Sequence, residues 1–138
     1  MRSAVTNWIN RFPDLEVCGE ASSEGRALKA VKQLKPDLVL TEVIRQHDLG
    51  FIRELHRRHP RLPILVFSFR DESWYAPKAL DVGVRGYLMK GVHGTKLVAG
   101  IRDVLKGRVV LSPEMAARLR SNRAAPGPRR KWFLILAT

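Results

Sequence analysis

The sequence lacks most of the features that would assign the chain to a secreted or membrane protein. It contains a single cysteine, Cys18, so the chain cannot form an internal disulfide. No apolar run approaches the length of a transmembrane helix, and the opening residues lack the apolar core of a signal peptide. These absences, together with one reduced cysteine, predict a soluble cytoplasmic protein with no membrane contact. We expect Cys18 to be a small buried apolar side chain rather than a reactive thiol.

The sequence also lacks the common motifs of nucleotide-binding and hydrolytic sites. It has no Gly-x-Gly-x-x-Gly loop, no Walker loop and no Gly-x-Ser-x-Gly nucleophile elbow. Four histidines raise the possibility of a metal site, since His56 and His59 could share one face of a helix. Two arginines separate them and the sequence supplies no third ligand nearby, so a solvated helix face is the preferred interpretation. We therefore predict neither an enzyme nor a metal centre, and a small α/β enzyme is kept as an alternative.

Acidic residues are scarce, and the excess of positive charge is uneven. The 138 residues contain 25 lysines and arginines against 13 acids, a net charge of +12. Residues 118–131 carry six basic side chains and no acid, which is half of that excess. Such a segment can bind the phosphate backbone of nucleic acids weakly and without sequence preference. A nucleic-acid-associating protein is therefore an alternative, although a solvated linker is the preferred interpretation of this segment.

Hydrophobic periodicity predicts helices that alternate with short strands. Helical spacing over residues 2–12 is followed by a strand, Leu15–Glu20, and the alternation continues to about residue 105. We expect Pro77 in the first turn of the fourth helix and Gly83 at its end. Ser112 and Pro113 resemble the capped start of a sixth helix. Strands and helices at this spacing indicate βαβ units around a parallel sheet.

Three of the predicted strands end in a polar side chain that a buried strand does not need. In an open α/β sheet, ligands bind just outside the carboxyl ends of the strands. A carboxylate, a hydroxyl and an ammonium group therefore converge on one edge and could hold a small anion. The three residues, which follow the runs 37–41, 62–67 and 84–89, are Glu42, Ser68 and Lys90.

The segments around these strand ends resemble the receiver domains of two-component response regulators. The resemblance is to the subfamily that usually carries a LuxR-type helix-turn-helix output domain. It implies a flavodoxin-like fold with sheet order 2-1-3-4-5, and a role in phosphorelay signalling and transcription regulation. The three matching segments correspond to the family's third, fourth and fifth strands: Lys35-Pro-Asp-Leu-Val-Leu-Thr-Glu42, Arg61-Leu-Pro-Ile-Leu-Val-Phe-Ser68 and Gly83-Val-Arg-Gly-Tyr-Leu-Met-Lys90.

The resemblance also implies a role for each site residue. In the family an aspartate at the end of the third strand accepts a phosphoryl group, and Glu42 holds that position here. Ser68 and Lys90 match the hydroxyl and the lysine that hold the phosphoryl oxygens. Tyr87 matches the aromatic residue that moves inward with the hydroxyl.

Other family features are missing, which points to a degenerate receiver. The first helix aligns at residues 2–12, so the family's first strand, with its magnesium-binding acidic pair, would precede Met1. Without those ligands we expect no bound cofactor and only weak metal binding. The loop from Val43 to Leu49 is about two residues short, and we expect Asp48 in it to be a helix N-cap. Glu42 can either mimic the active state partly or leave the site inert, and the inert site is preferred.

These features lead to a domain division and to expected partners. We predict a receiver-like domain over residues 1–111, a linker helix over 112–123, and a basic and apolar tail over 124–138 without an output domain. Partners would be a sensor histidine kinase, another receiver domain or a second copy of the chain. Because the family's first strand is central, we expect a sheet with its central strand missing, and hence low stability or dimerisation at the open edge. We expect residues 121–138 to be poorly ordered, except for an apolar patch at Trp132–Leu136.

Overall fold

The computed structural model describes residues 2–43, 48–112, 115–117 and 132–137, and it shows five helices around a five-stranded sheet. The helices are α1 (Arg2–Ile9), α2 (Glu24–Leu34), α3 (Asp48–Arg58), α4 (Glu72–Asp81) and α5 (Gly94–Leu105). The strands are β1 (Leu15–Ala21), β2 (Leu38–Thr41), β3 (Ile64–Ser68), β4 (Gly86–Met89) and β5 (Trp132–Ala137). No helix in these ranges is long and apolar enough to cross a membrane.

The sheet is parallel throughout and has the order β1-β5-β2-β3-β4. One apolar core lies on the face of α2, α3 and α4, and a second lies on the face of α1 and α5. The predicted α/β class and three-layer flavodoxin-like arrangement are therefore confirmed. Past the β4 edge, Val110 bridges to Gly86 and extends the sheet by a single residue pair.

The position of β5 overturns the prediction of a sheet with a missing central strand. β5 lies between β1 and β2 and pairs with both, with Val39 opposite Ile135 and Val17 opposite Leu134. Leu134 and Ile135 are both fully buried, and they belong to the cores on opposite faces. A continuous apolar run suits such a strand, because both of its faces are covered. β1 and β2 therefore neither pair directly nor leave a gap.

The same strand corrects the interpretation of the C-terminal segment. Residues 132–137 form the centre of the sheet and are not an apolar tail outside the domain. The basic segment 118–131, on which the nucleic-acid hypothesis rests, lies outside the described residues, so that hypothesis stays a prediction. The prediction of loose structure for 121–131 lies there as well. Within the described residues, Met115–Ala117 form a helical turn, and Ser112 caps it by accepting a hydrogen bond from the Met115 backbone.

Helix α4 begins earlier than the sequence pattern indicated. Asp71 caps it by accepting a hydrogen bond from the Ser73 backbone at 2.8 Å. Pro77 therefore lies in the middle of the helix, not in its first turn, and that prediction is wrong. The cap fixed the start four residues before the first alanine of the apolar pattern, Ala76. Gly83 does follow the helix end as expected, in a left-handed conformation (φ 108°) that favours glycine.

Cys18 is half-buried in β1, and its thiol donates a hydrogen bond to the Leu134 carbonyl at 3.3 Å. Burial raises the pKa of this thiol, which fits a structural rather than a reactive cysteine. The register between β1 and β5 shifts between Val17 and Gly19, at this cysteine. Cys18 therefore contacts the central strand directly.

We expect Ile135→Ala to destabilise the protein strongly, because it opens a cavity in the centre of the sheet. Loss of a buried isoleucine side chain costs about 2–5 kcal/mol in free energy of unfolding. Leu34→Ala is the matched control, since it removes the same number of carbons from a side chain that is 47% exposed. Urea denaturation followed by circular dichroism measures both. Equal, small losses for the two variants would contradict the central position of β5.

Candidate functional site

The site lies at the carboxyl edge of the sheet, where β2, β3 and β4 end side by side. Glu42 follows β2, Ser68 is the last residue of β3, and Lys90 follows β4. The Lys90 backbone N–H donates to the Ser68 carbonyl at 2.7 Å, which holds the last two strand ends together. The structure therefore brings the three predicted residues to one edge.

Glu42 and Lys90 form an ion pair across the strand ends. The distance from Lys90 Nζ to Glu42 Oε2 is 2.5 Å, and the two side chains are 6% and 17% exposed respectively. The sequence-based prediction that Lys90 points at the Glu42 carboxylate is confirmed. Because both groups are largely out of water, each depends on the other for compensation of its charge.

Ser68 belongs to the same edge, but its hydroxyl is engaged elsewhere. The side chain is fully buried, and Oγ donates to the Val43 carbonyl at 2.6 Å. The same Oγ accepts a hydrogen bond from the Arg70 backbone N–H at 3.1 Å. These contacts tie the β2 end to the loop after β3. They use the hydroxyl in both directions.

Tyr87 lies inside the protein, beneath the loop that follows β3. Its side chain is buried, and the hydroxyl donates to the Arg70 carbonyl at 2.8 Å. Burial raises the pKa of Tyr87 to about 12, although the nearby Ser68 hydroxyl opposes the shift. Arg70 is thus held through its N–H by Ser68 and through its carbonyl by Tyr87.

Aromatic rings on both sides of Ser68 complete the surroundings of Lys90, and the sequence analysis did not single them out. Lys90 Nζ lies 5.1 Å from the ring centre of Phe69 and 5.9 Å from that of Phe67. Such contacts attract a cation to the face of an aromatic ring. Phe69 itself is 67% exposed, so its contact with Lys90 lies at the protein surface. The feature of the sequence that could have indicated these contacts is the phenylalanine on either side of Ser68.

The turn after Lys90 has a conformation that only glycine adopts easily. Gly91 has φ 104°, whereas proline is fixed near −65°. A proline at position 91 could therefore not form this turn, which lies directly beside the ion pair.

Mg²⁺ is usually held through one or two carboxylates with several waters. The Glu42 carboxylate at this edge is paired with Lys90 through Oε2. Across the described part of the chain, no group of three or more His, Cys, Asp or Glu side chains could hold a metal. His56 and His59 therefore have no third such side chain beside them there. Asp48 starts α3. Because residues 44–47 before it lie outside the described ranges, its predicted capping role is untested.

Comparison with known proteins decides the family. The model of the family described as the response regulator receiver domain matches residues 1–102. The chain belongs to this family. Response regulator GacA of Pseudomonas viridiflava is 31% identical over 122 residues, which are 86% of this chain and 56% of that protein. VraR of Staphylococcus aureus is 25% identical over 123 residues, 88% of this chain and 59% of that protein. The chain thus spans little more than half the length of these relatives.

Solved receiver structures agree with the fold. A LuxR-family response regulator from Aurantimonas superposes with a TM-score of 0.77 at 28% identity, covering 84% of each chain. The receiver domain of NarL from Mycobacterium tuberculosis gives 0.70 at 26% identity, covering 78% of this chain and 88% of that one. The receiver sheet order 2-1-3-4-5 is thus present here, with β5 in the place of the family's first strand.

We expect the buried hydroxyl of Tyr87 to make stability fall at alkaline pH. An unfolded tyrosine ionises near pH 10, whereas the folded one keeps its proton to about pH 12. Between these values the unfolded state binds fewer protons, so stability falls as pH rises, and the contribution is complete below pH 10. Urea denaturation at a series of pH values, with Tyr87→Phe as the comparison, tests this. An identical pH dependence for the two proteins would contradict the assignment.

We expect the Glu42–Lys90 pair to show strong coupling in a double-mutant cycle. Lys90→Met leaves a carboxylate in a largely buried place and costs about 2–3 kcal/mol in free energy of unfolding. Glu42→Gln combined with Lys90→Met removes both charges and should recover most of that loss. Glu54→Gln, at an exposed pair with Arg57, is the control and should leave the melting temperature unchanged. Additive effects of the two site substitutions would show that the ion pair contributes nothing.

Proposed function

We propose that this receiver domain is a signalling module that acts through protein contacts with a fixed, unphosphorylated site. The observation that carries the proposal is the Glu42–Lys90 ion pair at the acceptor position. The family uses this lysine to hold the oxygens of a phosphoryl group. Here its charge is compensated by a carboxylate of the chain itself.

The chemistry of the site supports a loss of phosphoryl transfer. A carboxylate must approach the phosphorus while a cation offsets the charge of the incoming oxygens. Glu42 is a methylene longer than aspartate and is held by Lys90 at 2.5 Å, so its lone pairs are directed to the ammonium group. The Ser68 hydroxyl, a second contact of the family's phosphoryl group, donates to the Val43 carbonyl.

The same contacts support a site that is fixed rather than switching. In the family the hydroxyl and the aromatic residue change position together on phosphorylation. Here Ser68 and Tyr87 both hold Arg70, and the Tyr87 side chain is already buried. Glu42 offers one negative charge where an aspartyl phosphate carries closer to two, so it satisfies Lys90 without a phosphoryl donor. An inert site accounts for these contacts better than a site that responds to a kinase.

The partners follow from the family and are part of the proposal. Receiver domains bind sensor histidine kinases and pair with other receivers, so a kinase, a second receiver or a second copy of the chain is the expected class of partner. A role in transcription regulation would need an output domain of the LuxR type, and the compared Aurantimonas regulator is described as a member of the LuxR family. The domain would then transmit a constant signal set by its abundance.

Incubation with acetyl phosphate and magnesium should give no phosphoryl adduct. Intact-mass spectrometry measures this directly, with an authentic receiver that carries the full acidic set as the positive control. A hydroxylamine-labile gain of one phosphoryl group on Glu42 or Asp48 would overturn the proposal.

A gain-of-function variant tests the same proposal from the opposite side. Because β5 replaces the family's first strand, the acidic pair belongs directly after Ala137. A variant with Glu42→Asp and two aspartates in place of Thr138 should bind Mg²⁺, measured by titration calorimetry, and then accept a phosphoryl group. Glu42→Asp alone should do neither, because the acidic pair that binds Mg²⁺ in the family is not restored. Phosphorylation of Glu42→Asp alone would show that the acidic pair is not what the site lacks.

A further inference from the structure

Strand β5 is central in the sheet, yet it reaches the domain from the far end of the chain. It pairs with β1 over Leu15–Ala21 and with β2 over Leu38–Thr41. Between Ala117, the last described residue before the gap, and Trp132 lie 14 residues of the sequence. We call the space between β1 and β2, which β5 occupies, the slot. Both of these strands lie within residues 15–41, so most of the domain separates them from β5 along the chain.

The slot between β1 and β2 accepts only a segment that meets two requirements: an extended backbone and apolar side chains on both faces. It offers backbone partners on both edges, so it accepts a strand and excludes a helix. Leu134 and Ile135 fill opposite cores and are fully buried, so apolar side chains are needed on both faces. The Cys18 thiol adds a hydrogen bond to the Leu134 carbonyl. An empty slot would expose the backbone groups of two strand edges.

The tether is long enough to deliver the strand within one chain. Val110 lies outside β4, four strand positions from β5, which is about 19 Å at the usual strand spacing. The 15 peptide links from Ala117 to Trp132 reach about 50 Å when extended. For comparison, the ends of any unstructured chain of 15 links lie about 20 Å apart on average, which corresponds to an effective concentration in the millimolar range.

We propose that this slot is a strand-acceptor site that also takes residues 132–137 from a second copy of the chain. The described pairs of β5 with β1 and β2 involve residues 132–137 alone on the β5 side, so a strand from either copy can make them. At micromolar concentration a copy should fill its own slot, because the effective concentration of its own strand is higher. When the tether cannot reach, two copies should exchange strands and form a closed symmetric dimer.

Deletion of residues 119–130 tests the exchange. Three peptide links then join Ala117 to Trp132 and span about 10 Å, about half of the separation between Val110 and β5. At micromolar concentration the full-length chain should be a monomer and the deletion variant a dimer, measured by sedimentation velocity. The same deletion with Ile135→Asp, a charge at a fully buried position, is the control and should not dimerise. A deletion variant that stays a folded monomer would overturn the proposal.

A mixing experiment keeps the proposal testable if the deletion variant fails to fold. Ile135→Asp destroys the donor strand, and Val39→Asp destroys the acceptor wall opposite it, both at fully buried positions. Refolded together, the two full-length variants should form a 1:1 complex in which Ile135→Asp receives the intact strand of its partner. The expected result is a cooperative unfolding transition that neither variant shows alone. A mixture that behaves as the sum of its components, beside a deletion variant that does not dimerise, would overturn the proposal.

Discussion

The pairing of β5 between β1 and β2 is the constraint on which the rest of the structure depends. The sheet separates two apolar cores, and β5 supplies a fully buried side chain to each, Ile135 on one face and Leu134 on the other. Its backbone also satisfies the hydrogen-bonding edges of both neighbouring strands. Because β2 is held in register by β5 on one side and β3 on the other, the position of Glu42 at the end of β2 depends on the same strand.

The strand ends determine the geometry of the site. Its chemistry is determined by one residue, Glu42, which stands where the family has an aspartate. Parallel strands bring Glu42, Ser68 and Lys90 to one edge whatever their side chains are. The glutamate at the first of these positions forms an ion pair with Lys90, whose amine also contacts the ring of Phe69. The contacts of Ser68 and Tyr87 with Arg70 then hold the adjoining loop. At this edge of the sheet, Glu42, Ser68 and Lys90 are therefore all paired with groups of the chain itself.

Much of this edge could be predicted from local sequence, because its residues lie in three short strands with clear apolar patterns. Those segments predicted that Ser68 and Lys90 lie at one edge of the sheet and that the Lys90 side chain points at the Glu42 carboxylate, as the structure shows. The start of α4 was not, since the cap by Asp71 outweighed the later apolar periodicity and placed Pro77 inside the helix. The contact of Phe69 with Lys90 was missed because an exposed ring falls outside the periodic apolar pattern, although Phe69 directly follows the serine at the strand end.

By itself the sequence determined the family, the alternation of strands and helices, and the residues at the strand ends, because each of these depends on neighbours close along the chain. Only the tertiary structure decided what fills the centre of the sheet. The apolar run at Trp132–Leu136 follows a linker composition, and its pattern alone suits a patch or a strand equally well. Its partners, Val17 and Val39, lie about a hundred residues earlier. The choice is made by the burial of both faces and the pairing of both edges, which exist only once the rest of the sheet is formed.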